Sequence, residues 1–100
     1  MKKKNFNPNN YNNLNKLRNK VIDNLSDKIN LYNKKLLEIG SGSGIFSTLL
    51  SKKYKNSYIQ AIDIVESYID FSNKKNKLSN VSFEVKDIND IKSCYDGIFM

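Results

Sequence analysis

The chain predicts an α/β fold, a doubly wound parallel sheet. Three observations carry that expectation. Short apolar runs alternate with longer stretches whose apolar residues recur at helical spacing. The run Lys35–Ile39 is apolar on both faces, which suits a central parallel strand covered by helices on both sides. A Gly-Ser-Gly-Ser-Gly turn follows that run at once, at the place where open α/β sheets meet their ligands.

Each element can be justified in order. Residues 1–12 are rich in asparagine and lysine and hold the only proline, Pro8; they read as a flexible arm. The opening Met1-Lys2-Lys3-Lys4 resembles the start of a signal peptide, but no apolar segment follows, so no secretory signal is expected. Leu14, Leu17, Val21, Leu25 and Ile29 fall at helical spacing, with Ile22 widening the stripe. The spacing predicts a helix from Asn13 to Ile29, and Asn30 and Asn33 mark the turn after it. Residues 13–34 are therefore a helix and its connector.

Residues 35–100 read as a partial domain of four strands. The first strand is Lys35–Ile39. A helix from Gly44 to Tyr54 turns Ile45, Leu49 and Leu50 inward. The second strand runs from Tyr58 to Ile62. A helix from Val65 to Leu78 sets Val65, Ile69 and Phe71 against the sheet. The third strand is Val81–Val85, and Asp87 to Ile91 form a loop or short turn. Tyr95 to Met100 is the fourth strand. Right-handed crossovers join the strands. A final strand with an unpaired edge gives the expectation that the sequence is a fragment, truncated after strand four.

Composition bounds the chemistry. One hundred residues suffice for one small domain. A single cysteine, Cys94, rules out an intramolecular disulfide and suits a reducing cytoplasm. Cys94 itself reads as a small buried hydrophobe. Histidine is absent, which excludes histidine-based catalysis and histidine-ligated metal within the chain. No apolar run approaches membrane-spanning length. The net charge of +7 is uneven. Residues 1–35 hold nine Lys/Arg against two Asp, whereas residues 36–100 hold eight Lys against eight Asp/Glu. The basic arm and first helix read as a solvated face, with RNA phosphates or an acidic carrier as alternative partners. The aromatic-basic interleaving of a nucleic-acid module is missing.

The glycine turn is the informative motif. A dinucleotide fingerprint needs glycine at its first, third and sixth positions. Counted from Gly40 the sixth residue is Ile45, and counted from Gly42 it is Ser47. A phosphate loop needs a Gly-Lys-Ser/Thr ending, and no Lys or Arg occurs between Leu36 and Ser51. Acids stand near instead. Glu38 closes strand one, Asp63 follows strand two, and Asp87 follows strand three. A carboxylate at Asp63 can accept both hydroxyls of a ribose. Asp63 also suits a helix N-cap, with Glu66 completing a capping box. Asp87 can accept from an adenine amino group or simply serve a turn.

Glu38-Ile39-Gly40-Ser41-Gly42-Ser43-Gly44 resembles the first motif of the class I S-adenosylmethionine-dependent methyltransferases. Ala61-Ile62-Asp63-Ile64 resembles the second, Val85-Lys86-Asp87-Ile88 the third, and Tyr95-Asp96-Gly97-Ile98-Phe99 the opening of strand four. The resemblance implies a Rossmann-like sheet with its strands in the order three, two, one, four. It also implies S-adenosyl-L-methionine as the cofactor, held by Glu38, Gly40, Ser41, Gly42, Gly44, Asp63, Ile64, Asp87 and Ile88. The expected activity is methyl transfer to a small molecule or lipid, with RNA as a second acceptor. Tyr11 and Arg18 of the N-terminal segment are not assigned to the cofactor. Asp96 reads as structural, no catalytic residue is assigned, and the fragment alone is expected to be inactive. A non-catalytic cofactor-binding module and an NAD-binding fragment are the rival readings, the latter disfavoured by the glycine spacing.

Overall fold

The computed structural model describes residues 16, 17, 19–24 and 30–100. Strands Lys35–Ile39 (β1), Tyr58–Asp63 (β2), Val81–Val85 (β3) and Gly97–Phe99 (β4) form one sheet in the order β3-β2-β1-β4. Every pairing is parallel, as the sequence predicts. Helix Ile45–Lys53 (α1) connects β1 to β2, and helix Glu66–Lys75 (α2) connects β2 to β3. A single 3₁₀ turn, Ile88–Asp90, lies between β3 and β4.

Strand periodicity assigns the core. Leu36 of β1, Ile59 and Ala61 of β2, and Val81 and Phe83 of β3 point to the same side and pack on Leu50 and Tyr54 of the α1 region and Ile69 of α2. Leu37 and Ile62 project from the opposite face and are also buried, which accounts for the apolar character of β1 on both sides. The Asn80 side-chain amide donates to the carbonyls of Ser51, Tyr54 and Ser57. It thereby satisfies backbone groups at the C-terminal end of α1.

Several elements depart from the sequence reading. β2 runs one residue further, to Asp63. α2 stops at Lys75 and not at Leu78, because the Asn76 side chain bonds the carbonyls of Leu78 and Val81 and turns the chain into β3. Phe71 is about half exposed, and Val65 is exposed as well. Ile69 and Ser72, three residues apart, face the sheet, and Phe71 lies two residues, or about 200°, from Ile69 around the helix. Val65 is extended and precedes the helix.

β4 covers three residues because Asp96 meets β1 through its side chain. Its carboxylate accepts from the Lys35 amide at 2.8 Å while its own amide donates to the Lys35 carbonyl at 2.7 Å. That is the structural role expected of it. Cys94 is exposed, contrary to the buried reading; it lies in the irregular segment before β4, outside any packed element.

Residues 16, 17 and 19–24 are helical. Among the described residues of the expected stripe, Ile22 is fully buried, whereas Leu17 and Val21 are exposed. Leu14, Leu25 and Ile29 lie outside the described residues. Asp23 pairs with Lys53 at the end of α1, and this hydrogen bond holds the Lys53 ammonium above its usual pKa.

Candidate functional site

The carboxyl ends of the strands bring the predicted site residues to one edge of the sheet. The chain leaves β1 at Ile39 and folds back over β2: the amides of Gly40 and Ser41 both donate to the Ile62 carbonyl, at 2.9 and 3.0 Å. Gly44 then donates to the Ser41 carbonyl, and Thr48 to the Gly44 carbonyl, which starts α1.

The glycines divide into two kinds. A Cβ added at Gly40 or Gly42 would meet no atom within 4 Å, so both turn bare backbone toward open space. At Gly44 an added Cβ would stand 2.6 Å from Phe83 Cε1 and 2.8 Å from Ser72 Oγ. Packing of α1 onto β3 and α2 therefore explains the missing side chain at Gly44. Backbone torsion adds to this, since φ is +55° at Gly42 and +81° at Gly44, values that side chains disfavour. Ser41 is buried, and its hydroxyl has no hydrogen-bond partner among the described residues.

Asp63 links the loop to the end of β2. Its Oδ2 accepts from the Gly42 amide and its Oδ1 from the Val65 amide, both at 2.9 Å. The capping box with Glu66 does not form, because Val65 occupies the N-cap position with no side-chain bond. Glu38 is buried beside the first turn of α1, where its Oε1 accepts from Ser47 Oγ at 2.6 Å.

At β3 the picture changes. The Lys86 amide donates to the Asp63 carbonyl at 3.1 Å, joining the ends of β2 and β3. Asp87 is exposed and accepts from the Asn89 amide at 2.9 Å, which caps the 3₁₀ turn. Ile64 and Ile88 are mostly exposed, at 72% and 52%, and leave two apolar side chains beside adjacent strand ends. Tyr11 and Arg18 lie outside the described residues.

Sequence reasoning missed three supporting residues: Ser47, Ser72 and Phe83. Ser72 is buried and donates to the Tyr68 carbonyl at 3.0 Å and, more weakly, to the Gly42 carbonyl at 3.4 Å. The available signal was a run of serines on otherwise apolar inward positions of both helices, Ser47 and Ser51 on α1 and Ser72 on α2.

A groove of about 660 Å³ between α1 and α2 is lined by Ser43 of the glycine loop and by Ile45, Leu49, Phe71 and Leu78 among others. Two of its three lysines, Lys52 and Lys75, stand in the last turns of the helices, where cations complement the helix dipoles. No helix among the described residues is long and apolar enough to cross a membrane. The described residues hold no group of three or more potential metal ligands.

Comparison with known proteins agrees with this geometry. Residues 31–100 match a family model described as a methyltransferase domain. The chain is 35% identical over 66 residues to a malonyl-[acyl-carrier protein] O-methyltransferase of Bacillus cereus, covering 64% of this chain and 24% of that protein. It is 32% identical over 85 residues to the enzyme of the same name from Acetivibrio thermocellus, covering 82% and 30%. The chain thus spans about a quarter to a third of these curated relatives. Among solved structures, it is similar to magnesium protoporphyrin IX methyltransferase of Synechocystis PCC 6803 with bound S-adenosylmethionine. The TM-score is 0.70 at 19% identity, covering 84% of this chain and 42% of that one; this likeness is one of fold.

Proposed function

The chain belongs to the class I S-adenosylmethionine-dependent methyltransferases, and on that premise we propose that residues 35–100 bind the methyl donor for transfer to a small or carrier-linked acceptor. The observation that carries the reading is the bare backbone of Gly42, which faces open space while its amide is held by Asp63. A ligand can lie directly on that backbone.

The residues suit S-adenosylmethionine. Gly40, Ser41 and Gly42 offer backbone, and the buried Ser41 hydroxyl has no partner among the described residues. Asp63 already accepts two amides, yet each carboxylate oxygen has a further lone pair for a ribose hydroxyl. Ile64 and Ile88 supply exposed apolar surface for adenine, and Asp87 an acceptor for its amino group. Glu38 contributes negative charge near the donor's cationic end. Gly44 shapes the loop through packing. When bound, the cofactor supplies an electrophilic methyl group on a sulfonium. The chain's share of the work is to bind and orient that group and to keep water from it.

The acceptor is read from the relatives. The two enzymes above are named for a malonyl group on an acyl-carrier protein, which supports a carboxylate of a small acyl unit as the methylated group. An acidic carrier would also complement the nine Lys/Arg of residues 1–35. A cytoplasmic setting is supported by the exposed thiol of Cys94, the only cysteine.

Calorimetric titration with S-adenosylhomocysteine and with NAD tests the cofactor. Saturable binding of the first and none of the second is expected. Binding of NAD alone would overturn the reading.

A further inference from the structure

Under the glycine loop, two buried side chains hold each other. Ser47 is the third residue of α1 and is fully buried, and Glu38 is nine-tenths buried. The Ser47 hydroxyl donates to Glu38 Oε1 at 2.6 Å, a short hydroxyl–carboxyl hydrogen bond. β1 supplies the acid, and α1 supplies the donor that sets the plane of its carboxyl group. From Leu36 to Ser51, Glu38 is the only formally charged side chain. The loop and the first turns of α1 therefore carry a single negative charge, and Ser47 orients it.

We propose that Ser47 is a positioning residue of the cofactor site: it fixes the Glu38 carboxylate beneath the loop and so sets the preference for a cationic methyl donor over its neutral thioether product. The proposal rests on the cofactor reading above. Its logic is electrostatic. S-adenosylmethionine and S-adenosylhomocysteine share the adenosine and the amino-acid tail and differ by one methyl and one positive charge. Shape and backbone contacts treat the two nearly alike, whereas a fixed carboxylate favours the cation. A buried carboxylate that has lost the Ser47 bond is held less closely in that orientation and favours it less.

Two measurements test this on the protein. The first is the affinity for both ligands in Ser47→Ala and Ser47→Thr. Ser47→Ala should weaken S-adenosylmethionine by about tenfold and S-adenosylhomocysteine by about twofold or less, and Ser47→Thr, which keeps the hydroxyl, should restore the preference. The second is a double-mutant cycle of Ser47→Ala with Glu38→Gln, read by urea unfolding with no ligand present. The two changes should be non-additive, as expected of groups in contact. Additive effects would overturn the proposal, and so would equal loss of both ligands in Ser47→Ala, the mark of a purely structural serine. If the unaltered protein binds neither ligand, the cofactor reading falls. If it binds both and Ser47→Ala leaves the preference unchanged, the role of Ser47 alone falls.

Discussion

The joined ends of β1 and β2 and the end of β3 are the two sides of the proposed site, built on different terms. At β1 and β2, three consecutive loop amides are bonded to β2: Gly40 and Ser41 to the Ile62 carbonyl, and Gly42 to the Asp63 carboxylate. Glu38, Ser41 and Asp63 are all buried there. At β3, Asp87 bonds an amide two residues further on, and residues 87–90 are all exposed. The first side is preorganised by long-range backbone contacts. The second is a local turn that a ligand can still shape. Preorganisation lowers the ordering cost of binding, so most of the affinity is expected from the loop side and the smaller part from the turn side.

The largest test of this contrast is Gly44→Ala. The new methyl would meet Phe83 and Ser72 well inside contact distance, at a backbone torsion of +81°. Overpacking and left-handed strain together should cost about 3 kcal/mol of stability, visible in urea unfolding. Normal stability would show that the loop side is softer than its hydrogen bonds imply.

Gly42→Val separates binding from folding on the same loop. Its side chain would enter open space, so the loss of stability should be limited to about 1–2 kcal/mol of torsional strain. Cofactor binding should vanish in calorimetry, because the valine fills the ligand's place. Retained binding would mean that the loop is only a turn.

Asp63→Ala comes next. It removes the acceptor of two backbone amides as well as the expected ribose contact. Affinity should fall by about 1–3 kcal/mol and stability by a similar amount. Asp63→Asn keeps one acceptor oxygen and should lose less of both. An affinity loss with unchanged stability would show that the two amides find other partners.

These cases also show what the sequence could disclose. The placing of Glu38, Asp63 and Asp87 at strand ends was legible in the alternation of apolar strands and helical stretches, whereas the strand order came from the family resemblance of the motifs. The common purpose given to Gly40, Gly42 and Gly44 was not resolved. Spacing marks a glycine but does not say whether a ligand or Phe83 occupies the missing Cβ. Hydrophobicity alone puts Phe71 with Ile69, but its angle around α2 turns it away from the sheet. Among the described residues of the predicted stripe, Ile22 is anchored in the core while Leu17 and Val21 stay exposed, because helical spacing marks a stripe without saying which of its members reach the core. Ser47 was invisible in the pattern, since a buried serine has meaning only beside the acid it bonds.

The smallest effect is expected at Asp87, where two roles can be told apart. Asp87 caps the 3₁₀ turn through Oδ1, a contact that an asparagine oxygen can reproduce. Recognition of an adenine amino group also needs an acceptor, but at a different place and with a preference for negative charge. Asp87→Asn should therefore leave the unfolding midpoint unchanged and weaken S-adenosylhomocysteine by about 0.5–1 kcal/mol. Asp87→Ala should weaken the ligand at least as much and also destabilise the turn by about 1 kcal/mol. A ligand whose purine lacks the exocyclic amino group should bind both variants and the unaltered protein alike. If Asp87→Asn changes neither ligand, the β3 side serves the turn alone, and the whole of recognition moves to the preorganised loop between β1 and β2.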